Sequence, residues 1–430
     1  MKLQLEKFFV ALFLMTYGID AHNVGLFILP IVPYKFISMI FIVLFLINIK
    51  NNMKFFPKSK IVLFMIIFLY LFTFASYLYS FNFESEIPID ITKRYLMQTL
   101  SLTAKFAIGF YLYKFILKDI KFVKNYMFLG LYIVLFFAFL QMIGSFTHMF
   151  HWGTAGYANS FFATRVSSIC GEPKGFAAYM APYVLYFTYN KFKQHKLIGY
   201  SSLLTYIKAY STSSYIVFFI SYLVINVKEK RISLSKLLFV IVIILSTLSV
   251  DVIYDRSVGR IQSMLNAQAM LDPNKAVVYF PIINKDIVVD GNEASSFALL
   301  FDNPYIAITG IGYGMESIYA RLYFNADTAG WINLDYAGNI SPNNALLRNT
   351  LYFGLPFLLY ILYIIMKTGV NALDRKYSDE VQFFGIFLIV CSISNILIYS
   401  NNILVIPLFF MALAVKKRIR QEKKDIRISI

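Results

Sequence analysis

Charge is what this chain of 430 residues has little of: 15% of it is Asp, Glu, Lys or Arg, against about 25% in an ordinary soluble domain. Acidic residues are the scarcer half, 23 against 40 basic ones, which leaves a formal net charge of +17. Cysteine occurs only as Cys170 and Cys391, in separate segments, which argues against both a disulfide framework and a thiolate metal site. The glycine cluster at 310–314 is not followed by Gly-Lys-Ser/Thr, which argues against a nucleotide phosphate loop. There is no internal repeat and no low-complexity tract.

Apolar surface is abundant instead. Hydrophobic residues make up 59% of the chain, with 44 Phe and 32 Tyr, and the mean hydropathy is +0.63. Such a composition predicts an all-α polytopic membrane protein. A spanning helix takes about 20 apolar residues, fewer inside a packed bundle. Twelve segments qualify: Phe8–Gly18, Leu26–Ile49, Ile61–Phe81, Tyr95–Leu117, Tyr126–Phe150, Gly175–Tyr189, Leu197–Ile207, Ser213–Val227, Leu237–Tyr254, Leu346–Met366, Val381–Tyr399 and Leu404–Val415. Lys2 and Lys7 precede an apolar run without a small-residue cleavage pattern, so the first span is expected to be retained.

The basic residues follow a rule. With both termini in the cytoplasm, 27 of the 40 fall in the terminal segments and in every second loop: around Lys50–Lys60, Lys114–Lys124, Lys191–Lys196, Lys228–Lys236, Lys367–Lys376 and the tail Lys416–Arg427. Cytoplasmic loops of membrane proteins carry such an excess. The +17 charge is therefore a topology signal with a secondary attraction to anionic membrane lipid, and no nucleic-acid partner is expected. The expected organisation is residues 1–254 as spans one to nine, 255–345 as an outer loop with short helices, 346–415 as spans ten to twelve, and 416–430 as a basic cytoplasmic tail. The outer loop holds five basic and nine acidic residues, a net charge of −4.

Arginines outside run against this rule, and each asks for a reason. They are Arg94, Arg165, Arg256, Arg260, Arg321 and Arg348, joined by Lys93, Lys174, Lys275 and Lys285. A guanidinium grips phosphate oxygens through two parallel hydrogen bonds at any working pH. Arg165, Glu172 and Lys174 collect at the mouth of the sixth span, where Arg165 either pairs with Glu172 or meets a ligand. Glu172-Pro173 suits a helix start, with the acid at the positive end of the dipole; Glu172 is alternatively a base or a clamp on a sugar hydroxyl. Arg256 and Arg260, four apart, read either as a basic helix face or as headgroup contacts of an interfacial helix. Gly310, Gly312 and Gly314 read as a turn, or as backbone N–H groups bared to an anion. Ser341 is the expected N-cap of the tenth span with Pro342 in its first turn, and Asn344 and Arg348 share a face beyond it. Lys105, mid-way along the fourth span, is expected to face a cavity or a partner. Lys35 and Lys208, near span ends, are expected to snorkel. The aromatic residues of the outer loop suit either an interfacial belt or sugar rings.

The layout of twelve spans with a loop of about ninety residues between the ninth and tenth resembles the O-antigen polymerase and ligase superfamily. So do Gly-Ile-Gly-Tyr-Gly at 310–314, Arg165…Glu172-Pro173 before the sixth span, and Asn343-Asn344…Gly354-Leu355 in the tenth. The resemblance implies a bacterial inner-membrane glycosyltransferase that uses undecaprenyl-diphosphate-linked oligosaccharides at the periplasmic face. It implies no cofactor, no nucleotide sugar and no required metal. A flippase and a chain-length regulator of the same pathway are the partners it implies. Arg165, Lys174, Arg256, Arg260 and Arg321 would neutralise the departing diphosphate, with Lys105, Asn344 and Arg348 as further substrate contacts, and Glu172 would assist an acceptor hydroxyl. Ligases of the superfamily are expected to carry a histidine shortly before the tenth span. The histidines here are His22, His148, His151 and His195, and the matching stretch is Ser341-Pro342-Asn343-Asn344, which favours a polymerase. Polymerases are associated with an arginine, ten residues and a glycine; Arg165 reaches Gly175 after nine. A flippase would be expected to show internal repeats and short loops, and a chain-length regulator two spans and a large soluble domain.

Overall fold

A computed structural model describes residues 2–19, 33–83, 90–147, 165–170, 172–193, 195–228, 275–280, 284–322, 342, 344–397 and 405–428. The described chain is nearly all helical. In order it runs α1 Lys2–Thr16, α2 Pro33–Ile47, α3 Ile49–Phe55, α4 Lys60–Ser80, α5 Ile91–Lys118, α6 Ile120–Thr147, α7 Pro173–Tyr189, α8 Lys196–Ile207 and α9 Thr212–Lys228. A hairpin, β1 Lys275–Phe280 and β2 Lys285–Asp290, follows. Then come α10 Gly291–Asp302, α11 Tyr305–Thr309, α12 Glu316–Leu322, α13 Ala345–Phe353, α14 Leu355–Ala372, α15 Asp379–Leu397 and α16 Val405–Ile428.

Among the described residues five stretches are long and apolar enough to cross a membrane: Lys60–Phe83, Ile91–Lys118, Ile120–Gly144, Leu355–Ala372 and Asp379–Leu397. Eleven of the twelve apolar segments coincide wholly or in part with helices, and 237–254 lies outside the described residues. Two segments differ from their expected form. The tenth is two helices, α13 and α14, parted at Gly354, whose φ is 72°. The twelfth continues as helix through the basic tail to Ile428. Lys, Arg, Glu and Gln are strong helix formers. The extension is also anchored: Arg418 Nε donates to Ile116 O at 3.0 Å, and Glu422 accepts from Ser378 N at 2.9 Å and Ser378 Oγ at 2.7 Å.

The chain forms two compact units. The first comprises 1–57, 103–242 and 361–430. Its helices approach closely where side chains are small. A Cβ on Gly130 would meet Leu14 O and Met15 O at 3.0 Å, and one on Gly369 would meet Gly385 O at 2.8 Å. Inside, Tyr17 and Tyr183 hydroxyls meet at 2.8 Å, and Tyr183 donates to Met127 O at 3.2 Å. One end carries a buried ion pair: Lys114 Nζ lies 2.6 Å from Glu6 Oε2 and 2.8 Å from Asn52 Oδ1, while Asn48 donates to Glu6 Oε1 at 3.2 Å. Burying two opposite charges is tolerable only with remaining donors and acceptors satisfied in this way.

The second unit comprises 58–102 and 243–360. Its core is Ile91, Leu299, Ile306, Ile311, Met315, Ile318, Tyr319 and Leu351. The hairpin pairs Lys275 with Asp290 and Phe280 with Lys285, antiparallel, and α10 packs on it. This hairpin adds strand to a loop expected to hold only short helices.

Candidate functional site

In the first unit the stretch that begins at Arg165 forms a strap. Residues 165–170 lie across α6 and the α8–α9 turn. Gln141 of α6 binds the strap three times: its Oε1 accepts from Ser167 N at 2.9 Å and Ser168 N at 2.8 Å, and its Nε2 donates to Ser167 Oγ at 3.1 Å. Ser168 Oγ donates to Val134 O at 2.6 Å, and Val166 N to Lys208 O at 3.0 Å. Arg165 donates through Nε to Ala209 O and through Nη2 to Tyr210 O, each at 3.3 Å. Two non-glycine residues adopt left-handed backbone here, Ser168 at φ 50° and Tyr210 at φ 46°. Such conformations cost about 1–3 kcal/mol each and concentrate at functional sites.

Lys208 does not snorkel. Its side chain is buried, its Nζ donates to Tyr210 OH at 3.4 Å and it lies 5.2 Å above the Tyr210 ring. Burial holds its ammonium below the ordinary lysine value. Glu172, in extended backbone at the head of α7, is exposed and makes no capping hydrogen bond. Lys174 lies half-buried in the first turn of α7. The strap thus brings Arg165 and Lys208 together beside the helix that Glu172 opens.

In the second unit the three glycines have separate reasons. Gly310, Gly312 and Gly314 have φ of 71°, 89° and 74°. A Cβ on Gly310 would meet Gly354 N at 2.8 Å, on Gly312 the Thr73 N at 2.5 Å, and on Gly314 the Gln98 amide at 2.2 Å. The N–H groups of Gly310, Ile311 and Tyr313 are donated to Ile306 O at 2.8 Å, Leu351 O at 2.7 Å and Thr73 Oγ1 at 2.9 Å. These three N–H groups are consumed by packing, and the close approaches at Gly310, Gly312 and Gly314 make the stretch a docking turn.

That turn delivers a carboxylate which the sequence reading passed over. Glu316 opens α12 with 2% exposure. Its Oε1 accepts from Tyr352 OH at 3.0 Å, and Tyr313 packs on the Tyr352 ring at 4.8 Å. Arg94 lies within electrostatic reach of Glu316 and Tyr352. With the Gln98 amide oxygen turned toward the guanidinium, Gln98 accepts from Arg94 Nε at 3.2 Å and Nη2 at 3.1 Å. Beside the same turn is a cavity of about 300 Å³ walled by Phe72, Ser76, Tyr79, Asn303, Ile306 and Tyr319. Its sequence signal is its place two residues after Gly314, on a segment that docks against Thr73, Gln98 and Leu351.

The remaining predicted residues scatter. Asn344, not Ser341, caps α13, its Oδ1 accepting from Leu347 N at 3.1 Å; Ser341 lies outside the described residues. Arg348 donates through Nε at 3.1 Å and Nη2 at 2.8 Å to Pro342 O, clamping the entry to α13. Lys105 is half-buried on α5, in the first unit. Arg321 is on α12, and Arg256 and Arg260 lie outside the described residues. Among the described residues no cluster of His, Cys, Asp and Glu is fit to hold a metal ion. No protein family, no curated protein and no solved structure matches this chain.

Proposed function

We propose that the chain polymerises undecaprenyl-diphosphate-linked oligosaccharide repeat units of O-antigen or capsule type at the periplasmic face of a bacterial inner membrane. The twelve-span arrangement with both termini cytoplasmic and 255–345 periplasmic belongs to the same reading. The observation that carries it is the strap: Arg165, a cation that the distribution of charge assigns to the outer side, is held by Ala209 and Tyr210 next to buried Lys208. Two cations fixed at the rim of an apolar bundle suit a lipid-linked diphosphate, because fixed charge at a departing anion is usually the largest catalytic contribution. The same reading takes Lys174, Arg256, Arg260 and Arg321 as further diphosphate-binding cations and Lys105, Asn344 and Arg348 as further substrate-binding residues; it rests for these on the sequence alone. In this reading Glu172, exposed at the head of α7, takes the proton of an acceptor sugar hydroxyl.

Deleting the gene tests the reading against its alternatives. A polymerase leaves surface lipid capped with single repeat units and abolishes the long-chain ladder. Loss of all polymer from the lipid core, with polymer building up on the carrier, identifies a ligase instead. Single units stranded on the inner leaflet identify a flippase.

A further inference from the structure

A second cavity, of about 550 Å³, lies in the first unit between α6, α7 and the turn into α8. Its polar walls are Lys124, Asn125, Tyr126, Tyr132, Tyr186 and His195. Nothing in the polymerase reading uses it. Lys124 Nζ pairs with Asp379 Oδ2 and lies 3.2 Å from Tyr186 OH, which donates to the same carboxylate oxygen at 2.7 Å. One wall is a built turn: Lys191, Phe192 and His195 all have left-handed backbone, at φ 52°, 53° and 55°. Phe192 N donates to Phe187 O at 2.8 Å, and the Phe192 ring stacks on Tyr200 at 4.6 Å. His195 lines the cavity beside this turn, and Lys191, Lys193 and Lys196 are exposed, as is Lys121 on α6. Two carboxylates of this end are engaged, Asp379 by Lys124 and Tyr186 and Asp119 by Lys7 at 3.8 Å, and Glu380 lies within electrostatic reach of Tyr186. The exposed Lys191, Lys193 and Lys196 of the turn add positive charge at the mouth.

The cavity also opens onto an apolar track. Leu129, which lines it, is followed on α6 at seven-residue intervals by Phe136 and Ile143, which are 41%, 59% and 50% exposed. From Leu129 to Phe136 the helix rises about 10 Å at 1.5 Å per residue, within the depth of about 15 Å of one leaflet, half of a 30 Å hydrocarbon core; Ile143, about 21 Å along the helix, lies beyond that depth. We propose that this cavity is a binding site for an anionic phospholipid, its headgroup phosphate at the Lys124–His195 rim and one acyl chain along Leu129 and Phe136. Basic pockets between membrane helices recognise lipid headgroups by this combination. A soluble phosphate compound has no use for the track, so the proposal commits to lipid.

The test is native mass spectrometry of the purified full chain in detergent, titrated with phosphatidylglycerol, phosphatidylcholine or glycerol phosphate. Phosphatidylglycerol is expected to bind as a discrete adduct at concentrations at least tenfold below the other two. The double variant His195→Asp/Asn125→Asp places negative charge at the rim; both positions are exposed, and Asp tolerates the left-handed backbone of residue 195. It is expected to weaken the phosphatidylglycerol adduct about tenfold. Lys423→Asp, an equal change of charge at an exposed position of α16, is expected to leave it intact. Equal binding of phosphatidylcholine, equal binding of glycerol phosphate, or an unchanged adduct in the double variant would overturn the proposal.

Discussion

Arg165 illustrates how one side chain is asked for both geometry and charge. Its two described donors reach two consecutive carbonyls, Ala209 and Tyr210, at 3.3 Å each, a task for a planar fork rather than a point ammonium. The Glu172 side chain takes no part in that bond pair. Arg165→Lys is therefore expected to lose most of the long-chain ladder while immunoblots show normal accumulation. Exchanging the charges, Arg165→Glu with Glu172→Arg, is expected to give no rescue; recovery by the exchange would return the pair to a structural clamp. The buried pair Glu6–Lys114 obeys another logic. Lys114→Met leaves a carboxylate buried beside Asn48 and is expected to destabilise the detergent-solubilised protein by about 3–5 kcal/mol. Replacing both partners, Glu6→Met with Lys114→Met, removes the uncompensated charge and is expected to recover most of that loss in thermal unfolding. A double variant as unstable as the single one would mean that the pair serves packing rather than charge compensation.

At the scale of elements, hydropathy made the apolar runs legible and left the interruptions hidden. Within the run Leu346–Met366, Gly354 and Pro356 are the local marks of two helices, a breaker followed by a first-turn proline, which hydropathy alone does not weigh. The tertiary contact agrees: at Gly354 a Cβ would collide with Ile308 O, so the glycine admits the 305–314 segment against the helix. Gly354→Ala and Gly312→Ala each add strained backbone to a backbone collision, and are expected to lower the apparent Tm by an amount matching about 1–3 kcal/mol or more. Gly199→Ala, where the atom met is on the ring of Phe192, is expected to cost less, since a side chain yields more readily than backbone. An equal loss at all three would refute the docking role of the glycines. The Arg165–Glu172 motif was legible because it breaks the charge rule. Lys208, Gln141 and Glu316 were not: their roles depend on partners distant in sequence, and a lysine one residue past an apolar run looks like any snorkelling side chain. The hairpin was legible in principle, since Ala-Val-Val-Tyr-Phe and Asp-Ile-Val-Val-Asp are strand-forming runs, but hydropathy does not weigh six-residue strands.

For the whole molecule the open quantity is orientation, and the first unit constrains it. Segments that the charge rule assigns to one side meet there: Lys7 with Asp119, Ser378 with Glu422, Arg418 with Ile116, and Tyr189 OH with Leu373 O at 3.2 Å. The N-terminus, the α5–α6, α7–α8 and α14–α15 connections and the final helix therefore occupy one end of that unit. This is the pattern expected when every second loop faces the same compartment. The strap and the α8–α9 turn, joined by Val166 N and Lys208 O, are connections between those loops, and the proposed topology assigns them to the other compartment. Single cysteines in a chain lacking Cys170 and Cys391 read this directly. The positions are Asp302, Lys193 and Lys376, all exposed. A membrane-impermeant maleimide added to intact spheroplasts is expected to label the cysteine at 302 and to reach those at 193 and 376 only after permeabilisation. The reverse pattern would place the strap in the cytoplasm, away from any periplasmic lipid-linked glycan, and would end the polymerase reading with it. Labelling of 193 but not 376 would instead break the even-loop alternation and require a different number of spans between α8 and α14.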